Sequence, residues 1–293
     1  MSIILQTFAN GITLGLIYAL VAIPIVLVYK ASKVFNFAHG GMMLFGGYIL
    51  YMFTCQLGLP FGWSIFLAIV GSGIVGYIMQ RIVLTPLIGQ PILSLILATM
   101  ALLVLLHSLS LAVWGVTPCS FPMVLPKGSL EIGSVKIAKP DIIITLFIIC
   151  ILGLVGIFVN YTKYGLAMMV TSEEHLLAQS LGIKVKTIFA LAWVIGAILA
   201  TSGGFFVGYR LALSEYLPEV ALRSFAVVLL GGLESVMGVI VAGLIMGNIE
   251  AFVNFYLGDY IAGIGGVAPY IALLIIMIFK PYGLFGWVRI ERV

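Results

Sequence analysis

Two carboxylates in this sequence, Glu234 and Glu250, stand inside apolar runs. A charge in hydrocarbon is costly, so such groups face protein or a wet cavity and mark solute paths, proton relays or buried pairs. Glu250 has Asn254 one helical turn on and Asn248 nearby, which equally fits a hydrogen-bonded structural cluster. Glu234, in LLGGLESVMG, reads as the turn of a broken helix, where a carboxylate can be wet. Arg223 and Glu219, four residues apart, are spaced to pair at an outer mouth. Near the start, Gln6, Asn10 and Thr13 recur at helical spacing beside a stripe of Gly11, Gly15, Ala19 and Ala22. Such a polar stripe serves interhelical hydrogen bonding or lines a path, and small residues let helices approach closely. Asn36-Phe37-Ala38-His39-Gly40, followed by Gly41, Gly46 and Gly47, suits a helix entered through irregular backbone or packed very tightly. Asn36 and His39 join Asn10, Glu234 and Glu250 as candidates for lining a solute path, with interfacial capping as the plainer role for His39. His107 is a lone polar group in an apolar run, expected to bond within the protein.

None of these residues forms a bond-making constellation. There is no HExxH, no Ser-His-Asp order and no GxxxxGK[ST] phosphate loop. Cys55, Cys119 and Cys150 are scattered and lack CxxC spacing, which points to neither a metal site nor a disulfide framework. The reading is therefore of a protein that is not an enzyme and holds no cofactor. If ATP drives it, another chain must hydrolyse the ATP.

The longest polar-rich interval between apolar runs is 161–186, YTKYGLAMMVTSEEHLLAQSLGIKVK. Thr171 or Ser172 followed by Glu173 and Glu174 predicts a helix start, with acids at the positive end of the dipole. Gly182 predicts its end after two to three turns. A short helix outside the bilayer is a means of touching a soluble partner; a solvated loop helix that touches nothing has the same signature.

The elements that must position these residues follow from composition. The chain has 293 residues, 63% hydrophobic and 8% charged, with a mean hydropathy of +1.26. Soluble domains carry about 25% charged residues, so lipid is the solvent here. Strand alternation is absent, and only helices satisfy their own backbone in hydrocarbon. The fold class is all-α: a single polytopic helical membrane domain over 1–293 with about eight spans. Apolar runs fall at about 5–29, 40–57, 62–84, 92–114, 141–160, 187–209, 224–256 and 262–280. Pro24 is placed to bend the first. The run 224–256 is too long for one span and is rich in glycine, so it is expected to be broken or re-entrant. The interval 115–140 holds four prolines and reads as an ordered, irregular external loop. Met1 leads into a long span without a basic leader or cleavage site, so the first span is expected to insert uncleaved.

Orientation follows from Lys and Arg. With 161–186 in the cytoplasm, nine cations lie inside: Lys30, Lys33, Arg81, Lys163, Lys184, Lys186, Lys280, Arg289 and Arg292. Lys127, Lys136, Lys139, Arg210 and Arg223 then lie outside. The net charge of +4, spread over loops, does not suit nucleic acid.

Three motifs in order carry a resemblance. FANGITLGLIYALVAIPIVLVYKASKVFNFAHG, with its Asn36–Gly40 pentapeptide, resembles the opening of LivH-type permeases, the membrane subunits of branched-chain amino-acid ABC importers. LRSFAVVLLGGLESVMGVIVAGLIMGNIEAF is similar to the family's second signature, through Phe225-Ala226, Gly231-Gly232, Ser235, Gly238 and Gly243. KPYGLFG, with ERV close behind, is similar to its terminal motif. The family's ATPase-contacting helix has an alanine upstream of a Gly-Ile pair, matched by Ala178 and Gly182-Ile183. This chain departs from the family at Met168-Met169 where arginines are common, at Leu176-Leu177-Ala178 in place of Glu-Ala-Ala, and at Glu234 and Pro24 where glycine is usual.

The resemblance implies a permease in the bacterial or archaeal inner membrane that works by ATP-driven alternating access. Its partners would be two ATP-binding cassette subunits seated on Glu173, Glu174, Ala178, Gly182 and Ile183. A second homologous permease, a soluble or lipid-anchored solute-binding protein, and membrane lipid complete the set. ATP would be used by the partner subunits alone. Urea or short-amide ABC permeases are the neighbouring alternative. A stand-alone proton-coupled transporter using Glu234 or Glu250 is the more distant one. A weak internal echo pairs Phe37-Ala38 and Gly46-Gly47 with Phe225-Ala226 and Gly231-Gly232; in transporters such repeats flank the solute site.

Overall fold

The structure, a computed structural model, describes residues 2–122, 125–132 and 135–286; Arg289, Arg292 and the ERV end lie outside the described residues. Every apolar run becomes helix. In chain order these are α1 (Ser2–Ser32), α2 (His39–Tyr51, continued by a π-turn Met52–Gln56), α3 (Phe61–Ile78) and α4 (Ile92–Trp114). A hairpin β1 (Ser129–Ile132) and β2 (Val135–Ala138) follows, then α5 (Lys139–Tyr161), α6 (Lys163–Glu173) and α7 (His175–Ser180). The last four are α8 (Val185–Leu211), α9 (Leu217–Gly231), α10 (Val236–Leu257) and α11 (Ile264–Phe279). Among the described residues, six helical stretches are long and apolar enough to cross a membrane: Ile3–Ser32, Phe61–Leu87, Ile92–Trp114, Lys139–Tyr161, Val185–Leu211 and Val236–Leu257. Ile264–Phe279 is a shorter apolar helix. The chain is a multi-pass helical membrane protein.

The expected irregular loop at 115–140 is partly regular. Ser129 to Ile132 pairs antiparallel with Val135 to Ala138. The Gln6 side chain extends this ladder, donating to the Lys136 carbonyl at 2.8 Å and accepting from the Lys136 amide at 2.8 Å.

The chain folds as two compact units. The first comprises 1–26, 125–153 and 222–293. Here the small-residue stripe of α1 meets its match on α10. A Cβ on Gly15 would come within 2.7 Å of the Gly243 carbonyl oxygen, and one on Gly243 within 3.0 Å of Ala19. Backbones this close need glycine on both helices. The run 224–256 is broken, as its glycines suggest. α9 stops at Gly231, Gly232 takes φ +101, and α10 restarts with Ser235 accepting from the Gly238 amide at 2.9 Å. The carbonyls left without a helical partner at the end of α9 are taken up by the C-terminal segment: the Leu284 amide donates to Leu230 at 2.7 Å and Phe285 to Gly231 at 3.3 Å. The second and third sequence motifs are thus one structural feature.

The second unit comprises 27–124 and 154–221, with α2 at its centre, buried along nearly its whole length. The four glycines of α2 each face a different approach. Gly40 abuts Pro218 and Ala221, Gly41 the Leu103 carbonyl and Leu106, Gly46 the Thr201 side chain, and Gly47 Leu213 and Gly204. A short helix ringed by three others at backbone distance has little room for side chains, which accounts for the glycine density. At the far end of α4, residue Cys119 pairs with Leu213 through two backbone bonds of 2.7 and 2.9 Å, and His107 bonds the Glu215 carbonyl at 3.2 Å. His107 has the internal partner expected of it.

Candidate functional site

Tyr18, Arg223 and Glu250 meet inside the first unit. Tyr18 sits midway along α1 and is wholly buried, and its hydroxyl donates to Glu250 Oε2 at 2.5 Å. Arg223, on α9, donates from Nη1 to Glu250 Oε1 at 3.3 Å. The guanidinium lies against α11, where a Cβ on Gly266 would come within 2.8 Å of Nη2. The pairing expected within α9, Arg223 with Glu219, is replaced by this one. Glu219 is exposed to solvent, where an ion pair gains little, whereas Glu250 is mostly buried, so the guanidinium reaches across to the carboxylate on α10. Asn248 and Asn254, offered as neighbours of Glu250, do other things: Asn248 donates to the Leu244 carbonyl at 2.8 Å, and Asn254 caps the end of α10 through its carbonyl.

The remaining path candidates are dispersed. Asn10 is exposed one turn from Gln6, whose amide reaches it at 3.5 Å. Glu234 stands half-buried in the turn between α9 and α10. In the second unit, Asn36 and His39 are fully buried at the entry to α2, and Asn36 Nδ2 lies 3.6 Å from Met42 Sδ. The Asn36 side-chain oxygen is buried without a hydrogen-bond partner among the described residues.

The polar interval 161–186 is built differently from the sequence expectation. Thr162, extended at φ −108, ends α5 by donating to Phe158 at 2.6 Å and caps α6 by accepting from the Gly165 amide at 3.2 Å. A Cβ on Gly165 would collide with the Phe158 carbonyl at 2.7 Å, so glycine makes the corner possible. Neither Thr171 nor Ser172 is a cap: Thr171 is buried in α6, and Ser172 bonds back to Met169 at 2.9 Å. The break comes at Glu174, whose extended backbone (φ −150, ψ 111) starts α7 without a side-chain cap. The single expected helix is therefore two, jointed at Glu174.

The far end of α7 is as expected. Gly182 takes φ +79, its amide donates to Gln179 and the Ile183 amide to Ala178, both at 2.9 Å. This is the two-bond glycine stop that ends many helices, with Ile183 folded back as its apolar contact. Ala178 is buried with Val185 and Phe189, and Ile88, Val170 and Ile183 pack around them. Lys33, held at φ 55 just past α1, pairs with Glu173 at 3.5 Å. Sequence reading missed that pair because nothing local links the two residues. The outer face of α7 presents Leu176 and Leu177, and Leu181 follows; all three are exposed.

Residues 7–279 match the family model described as branched-chain amino acid transport system / permease component. The chain belongs to this permease family. The family assignment agrees with the three motifs read from the sequence. The permease is 28% identical to the high-affinity branched-chain amino acid transport system permease protein LivH of Escherichia coli K12, over 99% of this chain and 97% of the relative. It is equally similar to BraD of Pseudomonas aeruginosa PAO1, at 28% over 99% and 98%. A probable LivH of Methanocaldococcus jannaschii is 27% identical over 93% and 90%. Among solved structures, PsaBC from Streptococcus pneumoniae in complex with Fab aligns at a TM-score of 0.48 and 16% identity, covering 94% of the permease and 90% of that chain.

Proposed function

We propose that this permease is the membrane subunit of an ABC importer for branched-chain amino acids, driven by two separate ATP-binding cassette subunits that seat on α7. The substrate class rests on the relatives' names, LivH and BraD. The seat rests on one observation: α7 is clamped on its inner side by Ala178 and Phe189 while Leu176, Leu177 and Leu181 stand exposed on a segment outside the spans. Apolar side chains in that position have neither core nor lipid to cover them, and a protein partner supplies the cover. ATP is consumed on the partner subunits, and this chain does no bond chemistry.

The clamp makes α7 a lever. It is joined to α8 through Ala178, Val185 and Phe189, and α6 is tied to the end of α1 through Glu173 and Lys33. Closure of two ATPase subunits would pull on α7 and be passed to those two spans as rigid-body motion. A second permease completes the pair, and a solute-binding protein docks on the external loops.

Gly182→Pro tests the seat. Proline fixes φ near −65°, which the +79° backbone here cannot accept, and it removes the amide that donates to Gln179. A paired variant, Leu176→Glu, leaves the backbone alone and charges the exposed face. In membranes containing the whole transporter, both variants should still insert, lose co-purification of the ATPase subunits and lose leucine uptake. Intact complexes and normal uptake in both would refute the seat.

A further inference from the structure

The Tyr18–Arg223–Glu250 cluster has a feature that a purely structural pair does not need. Tyr18 is sealed, at 1% exposure, whereas the side chains of Arg223 and Glu250 keep 27% and 12%. The open side of the cluster is the charged side. Charges do not open onto lipid tails, so this side faces protein or water. The ion pair is also a single contact of Nη1 with Oε1, not the two-pronged fork that an arginine and a carboxylate make when built for each other. The second carboxylate oxygen is held by the Tyr18 hydroxyl, which fixes the group's direction. On the other side, Gly266 leaves a flat backbone where a side chain would press on the guanidinium.

We infer that Arg223 and Glu250 are a placeholder for the two charges of a zwitterionic α-amino acid. As the solute passes, its carboxylate takes the guanidinium and its ammonium takes the Glu250 carboxylate. The pair re-forms once the solute leaves. Neither charge is then ever buried alone, the state that costs most. Tyr18 is a positioning residue that keeps Glu250 aimed while its partner changes. Such a site reads the backbone shared by all α-amino acids and is indifferent to the side chain. It offers an uncharged amide or urea hydrogen bonds but no pairing of opposite charges. The inference rests on the importer reading above and names the part of the solute this chain recognises.

The whole transporter, expressed in cells lacking their own leucine uptake, provides the test. Glu250→Gln should lower leucine uptake at sub-saturating leucine by about tenfold or more, since one charged contact to the solute is lost. The exchange Arg223→Glu with Glu250→Arg decides between the roles. A structural pair works in either polarity, so complex assembly and uptake would both return. A site for a zwitterion has Tyr18 on one side and Gly266 on the other, and uptake should stay at least tenfold down although the exchanged pair assembles. Replacing both by Arg223→Met with Glu250→Leu adds a second arm, because apolar isosteres often replace buried ion pairs without loss of stability. Uptake within twofold of the unaltered transporter in either double variant overturns the inference. So does loss of assembly in both double variants, which makes the pair structural. If the unaltered transporter itself takes up no leucine, it is the importer reading that fails.

Discussion

Gly15 and Gly153 look alike in the sequence, each a glycine in a long apolar helix. A Cβ on Gly15 would meet the Gly243 carbonyl oxygen and the Leu244 Cα, both at 2.7 Å, whereas one on Gly153 meets nothing within 4 Å. The atoms at Gly15 are backbone and cannot swing aside. Gly15→Val should therefore destabilise the permease by about 1–3 kcal/mol, the usual cost of overpacking. Gly153→Ala should leave it unchanged or slightly more stable. Thermal unfolding in detergent compares the two, and equal melting temperatures would show that α1 and α10 do not touch as described. The stripe of Gly11, Gly15 and Ala19 was legible in the sequence because small residues at helical spacing have one common use. Its partners, Gly243 and Gly247, were not, because spacing says that a helix approaches without saying which. Arg223 shows the same limit. Its need for an anion could be read, but the nearest acid in sequence, Glu219, was not the nearest in space.

At the scale of elements, the breaks were more legible than their exact edges. The division of 224–256 followed from length and glycine content, since no single span needs 33 residues. What closes the break could not be read, because it is a contact between Leu230 and Leu284, 54 positions apart. Leu284→Pro removes the amide that donates to Leu230 and should loosen the end of α9, costing about 0.5–1.5 kcal/mol. Leu284→Ala keeps the amide and serves as its control. Hydrogen exchange at 228–232 should rise in the proline variant alone; equal protection in both would mean that the C-terminal segment does not brace α9. The polar interval shows the opposite error. Thr171, Ser172, Glu173 and Glu174 carry a strong helix-start signal, but the helix had already begun at Thr162. A hydroxyl inside a helix bonds back along it, as Ser172 does to Met169, and the cap signal is then spent. The hairpin at 129–138 was hidden among prolines and is completed by Gln6, a residue from α1.

For the molecule as a whole, the all-helical membrane class was fully legible, because 63% hydrophobic composition leaves no other solvent. Orientation is a separate matter, since packing is the same with either side out and only loop charge distinguishes them. Ser129 and Ser180 are both exposed, the first on β1 and the second at the end of α7. Each can carry a single introduced cysteine once Cys55, Cys119 and Cys150 have been replaced. In whole cells, an impermeant maleimide should label Ser129→Cys and spare Ser180→Cys, and opening the cells should make both reactive. The reverse pattern would invert the topology and turn α7 away from the cytoplasm, where ATP is available. The proposed ATPase seat would then be untenable although every packing contact still held, because the ATP is on the cytoplasmic side.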